Sequence, residues 1–186
     1  MDRETDEIIY SRFLKDGNSD DLRLLLERHR ESLMLFIYGF VRNMDDAEDI
    51  MLNAFAEAAA GRSPFSAESS FRTWLFAIGR NLARKHLRRS GNMYGMTDAL
   101  DTAEIREAED ELLKEESRRE LYSAMARLPV DYRNALYLIY FEDMSHEETA
   151  RVMHKSVKQV YNLVFRGKQA LKGLLEGSEL IDEEHR

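Results

Sequence analysis

The segment from residue 71 to residue 89, FRTWLFAIGRNLARKHLRR, has two faces that only a helix can separate. Its apolar residues recur at three- and four-residue steps, which is typical of one packed side of an amphipathic helix. These residues are Phe71, Trp74, Leu75, Ile78 and Leu82. Arg80, Arg84 and Arg88 are four residues apart and fall on another side, with Asn81 and Lys85 beside them. We therefore expect a helix that packs through one face and presents cations on another.

This cationic face has no acidic compensation, because no Asp or Glu occurs between residues 69 and 97. A second acid-free stretch, 149–175, carries six more Lys and Arg residues. The net charge is −8, and the two stretches contribute +12, so the rest of the chain carries −20. Surface helices usually mix the two signs, and uncompensated cations indicate a polyanionic partner. The competing interpretation is a basic face that contacts only water.

Composition restricts the fold to helices and excludes several kinds of site. The chain has 186 residues, 44% of them hydrophobic, with only two prolines and no strand-like alternation. This predicts an all-α protein of one large or two small domains. With no cysteine, disulfides and thiolate metal sites are excluded, and we predict no metal and no cofactor. The acidic N-terminus and a longest apolar run of nine residues, 33–41, predict a cytoplasmic protein.

The first 90 residues predict a helical bundle. Periodic apolar residues predict a helix over 5–15 and a second one, capped by Ser19 or Asp20, that runs to about Arg42. On the second helix, His29 is expected to be a packed, hydrogen-bonded core residue. A third helix follows, with Asp45 as its expected N-cap and Asp46, Glu48 and Asp49 in its first turn. These carboxylates are either capping groups or a docking surface for a basic partner. No nucleophile or metal-ligand spacing accompanies them, so we do not expect an enzyme.

Two aromatic residues near the fourth helix have alternative roles. Phe65 lies in the polar loop 62–70, where it either packs into the core or faces a ligand. Trp74 is expected to anchor the core. After residue 89 the composition changes: SGNMYGM is followed by a stretch, 98–120, with ten acids and four bases. We expect domains at 1–90 and 112–177, a flexible acidic linker at 91–111, and a frayed tail at 178–186.

The second domain carries a helix-turn-helix pattern. Ser145-His146-Glu147-Glu148 and Ser156-Val157-Lys158-Gln159 are both capping boxes, and a short turn separates the two helices that they begin. The second helix directs outward side chains that can contact base edges and phosphates, whereas a plain three-helix bundle is the alternative. The outward residues are Lys158, Gln159, Tyr161, Asn162, Phe165 and Arg166.

Three segments in this order resemble the bacterial extracytoplasmic-function (ECF) sigma factors of the sigma-70 family. They are DDAEDIMLNAF, FSAESSFRTWLFAIGRNLARKHLRR and LPVDYRNALYLIYFEDMSHEETARVMHKSVKQVYNLVFRGKQAL, and the resemblance covers roughly residues 10–175. It implies two helical domains, an N-terminal bundle and a C-terminal helix-turn-helix bundle, that bring core RNA polymerase to promoter DNA, commonly under the control of an anti-sigma factor. Leu52 and Asn53 depart from the usual Gln and Glu, and Thr149 replaces the usual Ile.

The resemblance also implies roles for particular residues. Polymerase binding is implied for Asp46, Glu48, Asp49 and Phe55. Recognition of the −10 element is implied for Phe65, Ser69, Arg80, Asn81, Arg84, Lys85 and Arg88. Recognition of the −35 element is implied for Lys155, Ser156, Lys158, Gln159, Tyr161, Asn162, Phe165 and Arg166. Without the resemblance, a stand-alone helix-turn-helix regulator and a helical adaptor with no DNA role both stay open.

Overall fold

The structure, a computed structural model, describes residues 4–66, 69–91 and 114–183, with side chains described in these ranges except at 114–118 and 178–183. Within this part of the chain all regular structure is helical. The helices are α1 (Asp6–Asp16), α2 (Ser19–Val41), α3 (Met44–Ala59), α4 (Phe71–Arg89), α5 (Lys114–Arg127), α6 (Val130–Tyr140), α7 (His146–Met153) and α8 (Val157–Glu183). The all-α prediction is confirmed. The predicted linker lies almost wholly outside the described residues, as do Ala67 and Glu68 of the loop before α4.

Helices α2, α3 and α4 begin at side-chain caps that differ in part from those predicted. The side chain of Asn18 accepts from the Asp20 amide at the start of α2, and that of Asn43 accepts from the Asp46 amide at the start of α3. The prediction of Asp45 as the cap of α3 was therefore wrong, and Asp45 lies in the first turn. Ser70 caps α4, which spans the predicted residues.

Helices α1 to α4 form the N-terminal bundle around a cluster of aromatic rings. Tyr10 is 1% exposed, and its ring centroid lies 5.0 Å from that of Phe71, 5.2 Å from that of Trp74 and 5.6 Å from that of Phe65. Phe65 is half-buried in this cluster, so the loop before α4 is attached to the core through its aromatic ring. The Tyr10 hydroxyl donates to the Ala58 carbonyl at 2.9 Å.

His29 confirms the prediction of a packed, hydrogen-bonded residue. The residue is 7% exposed, and Nε2 lies 2.6 Å from Oδ2 of Asp6. Burial lowers the pKa of His29, although the Asp6 carboxylate opposes this effect. Burial would raise the pKa of Asp6, but hydrogen bonding and charge from Arg28 and His29 outweigh it and lower that pKa. The pair joins α1 to α2.

Helices α5 to α8 form the C-terminal bundle, which contains the predicted helix-turn-helix. Both capping boxes are present: Ser145 and Glu148 bond reciprocally at 3.1 and 2.9 Å, and Ser156 and Gln159 at 3.2 and 2.8 Å. His154 turns the chain between α7 and α8 with a positive φ of 51°. Helix α8 continues past residue 177, where we expected the domain to end, as far as Glu183.

The two bundles pack against one another. Helix α7 lies on α4, and α6 lies on the C-terminal part of α2. Gly39 of α2 makes the second contact close, because a Cβ at this position would lie 2.5 Å from Oδ1 of Asn134 on α6. One part of the basic face of α4 therefore contacts the C-terminal bundle, and the rest contacts solvent.

Replacing Tyr10 with Phe tests the link between α1 and α3. The variant removes one donor to the Ala58 carbonyl, which still accepts from the Gly61 amide at 3.1 Å, so we expect the free energy of unfolding to fall by about 0.5–1.5 kcal/mol. Urea denaturation measures this change. Tyr140→Phe, at a half-exposed ring, is the matched control and should leave stability within about 0.5 kcal/mol of the parent. Equal stability of all three proteins would contradict the assigned hydrogen bond.

Candidate nucleic-acid interface

The basic face of α4 is open to solvent at most of its predicted positions. Asn81, Arg84, Lys85 and Arg88 are exposed, and Ser69 in the preceding loop is half-buried. Arg80 differs from the prediction, because its side chain is only 6% exposed. Burial lowers its pKa, as does the neighbouring Arg84 charge, whereas Asp131 raises it. In this arrangement Arg80 is not available to a large polyanion.

Arg80 is buried because of the position of the helix-turn-helix domain. The turn between α7 and α8 faces the basic part of α4, where burial and the charges of Arg80 and Arg84 lower the pKa of His154. Beside the turn lies a cleft of about 680 Å³, with arginines of α4 on one side and the start of α6 on the other. Arg42, Arg80, Arg84, Arg88 and Lys155 line it, with Asp131 as the acid. The cleft therefore concentrates positive charge between the domains.

The outer face of α8 carries a stripe of exposed side chains at helical spacing. Tyr161 and Phe165 are 54% and 63% exposed, although both are large and partly apolar. Lys158, Asn162 and Arg166 are exposed beside them. Val160 and Val164 point the other way and are buried. This arrangement offers cations, an amide and aromatic rings on one side of one helix, as recognition of a DNA groove requires.

Three of the predicted −35 residues already form a hydrogen bond or an ion pair within the protein. Ser156 and Gln159 form the cap of α8, with the Gln159 side-chain oxygen accepting from the Ser156 amide. Lys155 forms an ion pair with Asp131, with Nζ at 2.9 Å from Oδ2. Their local contacts position the start of α8, and the solvent-facing stripe begins at Lys158.

The acidic start of α3 forms a separate surface, with Asp45 and Asp46 in the first turn and Glu48 and Asp49 after it. Glu48 and Asp49 are exposed, and Asp46 is half-buried beside His86 of α4, with Oδ2 3.3 Å from Nε2. Because Asn43 supplies the side-chain cap, these carboxylates are not needed for capping and can face a partner. Phe55, predicted on the same surface, is 5% exposed and packs in the core.

An interdomain arginine pair joins the two bundles, and nothing in the sequence pattern predicted it. Arg133 of α6 donates to the Gly39 carbonyl of α2 at 2.6 Å and to the Ala126 carbonyl at 2.8 Å. Arg42 at the end of α2 donates to the same Ala126 carbonyl. Burial, followed by the charge of Arg42, lowers the pKa of Arg133 to about 9, which leaves it charged at neutral pH. Each arginine satisfies helix-terminal carbonyls of the opposite domain.

A second contact connects α7 with the start of α4. Oε1 of Glu148 lies 3.2 Å from the hydroxyl of Thr73 and 3.3 Å from that of Ser70. Glu148 therefore completes the capping box of α7 and also contacts the N-cap of α4. Burial raises the pKa of Glu148, but bonds from Ser145 and from these hydroxyls outweigh it, so the pKa is lowered and the carboxylate stays ionised.

Among the residues that the structure describes, nothing supports a metal site or a membrane-spanning helix. Within it no three His, Cys, Asp or Glu side chains are grouped as metal ligands. No helix among the described residues is long and apolar enough to cross a membrane. The candidate surfaces for binding a partner are therefore the two basic faces and the acidic start of α3.

Comparison with known families matches both bundles. The family model for sigma-70 region 2 matches residues 25–92, and the model for sigma-70 region 4 matches residues 118–171. The chain is 29% identical to the RNA polymerase sigma-H factor of Pseudomonas aeruginosa, over 95% of this chain and 96% of that protein. It is 28% identical to the ECF RNA polymerase sigma-E factor of Escherichia coli K12, over 90% and 92% of the two chains.

Solved structures agree with this relationship. The chain is similar to CnrH, solved in complex with the cytosolic domain of CnrY, with a TM-score of 0.67, 25% identity, and 94% and 99% of the two chains covered. The sigma factor RpoE of Bartonella quintana, solved with the anti-sigma factor NepR, shares the fold, with a TM-score of 0.62, 24% identity, and coverage of 84% and 97%.

A helical bundle with a cationic helix and a separate helix-turn-helix bundle defines a two-domain DNA-binding protein, and the matches specify which kind. The chain belongs to the ECF sigma factors of the sigma-70 family. It is an alternative sigma factor that directs core RNA polymerase to promoters for transcription initiation, and it performs no catalysis itself. The alternatives of a stand-alone regulator and a helical adaptor are thereby set aside.

Replacing Gly39 with Ala or Leu tests the contact between the domains. The atoms that an added Cβ would meet belong to Asn134 and Arg133 of α6, so each variant should separate α6 from α2 while slightly favouring α2 itself. Small-angle scattering of the purified chain should show a larger radius of gyration, more for Leu than for Ala. Gly173→Ala has open space at its Cβ and is the control. An unchanged radius for Gly39→Leu would contradict the packing described.

Proposed function

We propose that the two domains divide promoter recognition between them. The N-terminal domain, residues 1–90, binds polymerase through Asp46, Glu48 and Asp49 and contacts the −10 element through the basic face of α4. The C-terminal domain, residues 112–177, contacts the −35 element through α8. The observation that carries this proposal is the pair of separate exposed surfaces, each rich in cations, on an otherwise acidic protein.

The assignment of the −10 surface requires a change in the arrangement of the domains. Arg80 is buried beneath the helix-turn-helix domain, while Arg84, Lys85 and Arg88 stay exposed. We therefore assign Arg80 to the −10 surface only after α7 has moved away from α4. The arrangement in which the two domains pack together is called closed here. Two polar atoms at the contact between α2 and α6, Nε of Arg133 and Nδ2 of Asn134, are buried without a hydrogen-bond partner, which makes the closed arrangement less stable. Such a contact can open when polymerase binds both domains.

Polymerase supplies the affinity that each surface lacks. Phosphate contacts weaken steeply with salt, and the acidic remainder of the chain opposes the approach of DNA. When both surfaces are held on one enzyme, binding at one promoter element raises the effective concentration at the other. In this proposal the protein acts in the cytoplasm, with core polymerase and promoter DNA as its partners.

An anti-sigma factor is the regulatory partner we propose. CnrH and the Bartonella RpoE were both solved with a protein partner, and this chain is similar to CnrH along 94% of its length. The cationic cleft between the two domains offers such a partner a site, and occupation of the cleft would keep the domains closed.

Charge reversal at Arg84 and Arg88 tests the −10 surface. Arg84→Glu with Arg88→Glu removes two exposed cations and adds two anions beside the DNA strand. Promoter opening by the reconstituted holoenzyme should fall about tenfold or more, while polymerase binding stays unchanged. Permanganate footprinting measures the opening. Arg23→Glu with Arg30→Glu, at exposed positions of α2, gives the same change in net charge and should open promoters normally. Normal opening by the Arg84 and Arg88 variant would remove this face from DNA recognition.

Alanine at Lys158, Asn162 or Arg166 tests the −35 surface. Each variant should relax the sequence preference, with about 1–3 kcal/mol lost at a base pair that a bidentate contact recognises. The measurement is selection from a promoter library randomised in the −35 element. Gln169→Ala, at an exposed position further along α8, is the control and should select the parental sequences. Parental selection by all three variants would exclude these residues from recognition.

A further inference from the structure

A ring stack connects the first helix of the helix-turn-helix to the recognition surface of the second. The imidazole of His146 and the phenol of Tyr161 have centroids 3.9 Å apart and planes inclined by only 14°. His146 is the first residue of α7, and Tyr161 lies in the exposed stripe of α8. Neither the sequence pattern nor the family resemblance assigned a role to His146.

The stack restricts the Tyr161 side chain, which would otherwise change rotamer freely. Tyr161 is 54% exposed and stands between Lys158 and Asn162 on the outer face of α8. An exposed tyrosine without a neighbour samples several rotamers and loses that freedom when it binds. With the imidazole against one face of the ring, the other face and the hydroxyl keep one direction before DNA arrives. The side chain is thus pre-organised.

His146 is itself held in place by the backbone of α7. It follows Ser145, whose hydroxyl accepts from the Glu148 amide at 3.1 Å, while the Ser145 amide donates to the Glu148 carboxylate at 2.9 Å. This capping box fixes the path of the chain where the imidazole leaves it. The position of the Tyr161 ring therefore depends on a rigid helix start and not on a mobile loop.

The stack is not needed to hold α7 and α8 together. Ala150 and Val152 of α7 and Val160 and Val164 of α8 are all buried, at 0–7% exposure, in the core of the domain. The His146–Tyr161 pair lies at the edge of this core, where burial contributes less. Its placement on the recognition side of the domain favours a role in DNA contact over a role in packing.

We propose that His146 is a positioning residue for recognition of the −35 element, acting through Tyr161. This inference rests on the proposed function, because it takes α8 as the helix that contacts the −35 duplex. The DNA contact is made by Tyr161, and the imidazole fixes the direction of its ring. Specificity at the base pair nearest Tyr161 therefore depends on a side chain from the other helix of the motif.

The test uses the full-length chain in holoenzyme with core polymerase and a promoter library randomised in the −35 element. The variants are His146→Ala, His146→Phe, Tyr161→Ala and the double variant with Ala at both positions. Glu147→Ala, an exposed neighbour on the same turn of α7, is the matched control. Thermal unfolding of each chain, measured alongside, shows whether the domain stays folded.

We expect Tyr161→Ala to reduce the preference at one or two base pairs by about three- to tenfold, the range that aromatic pairs contribute. His146→Ala should reduce it at the same base pairs, and the double variant should lose no more than Tyr161→Ala alone. His146→Phe keeps a flat ring against Tyr161 and should restore most of the preference. A residue needed only for folding would lower the unfolding temperature and would not be rescued in this selective way.

Two results would overturn the proposal, and they have different meanings. If Tyr161→Ala changes the preference and His146→Ala does not, or if the two effects add at different base pairs, His146 has no positioning role although α8 still recognises the −35 element. If Tyr161→Ala and the Lys158, Asn162 and Arg166 variants all keep the parental preference, the assignment of α8 itself fails and the role of His146 fails with it.

Discussion

The packing of α4 is the constraint on which the rest of this structure depends. Its apolar stripe is buried with Tyr10, so the position of its arginines follows from the core of the N-terminal bundle. Its first turn bonds to Glu148 of α7, so the same helix also receives the second domain. One helix thus fixes the direction of the basic surface and how much of that surface solvent can reach.

The electrostatics of the closed arrangement are consistent with reversible contact between the domains. Arg42, Arg80, Arg84 and Arg88 face a cleft that contains Asp131 as its acid, so cations lie close to one another and Arg80 among them is buried. The two Nη atoms of Arg133 donate to helix-terminal carbonyls and not to a carboxylate. Like charges at partial burial oppose tight association, whereas a polyanion or an acidic partner would relieve them.

Local patterns predicted local structure well. The bounds of α4, both capping boxes and the turn at His154 follow from hydrophobic spacing and from hydrogen bonds that span three residues. The caps at Asn18 and Asn43 were missed because Ser19, Asp20 and Asp45 are equally good capping residues one or two positions away. Phe55 was assigned to polymerase binding by resemblance, whereas the structure buries it in the core of the N-terminal bundle.

Relations between distant residues could not be predicted in this way. The burial of Arg80 and the Arg133–Gly39 contact depend on helices that are far apart in the chain, and the His146–Tyr161 stack joins side chains of two different helices across a turn. A single sequence carries no signal for such pairs. The helical character of the chain, its two cationic faces and most of its helix ends could be predicted from residue order, since they depend on interactions within a few residues. Which cations stay accessible could be learned only from the folded protein, because accessibility depends on how the two bundles pack.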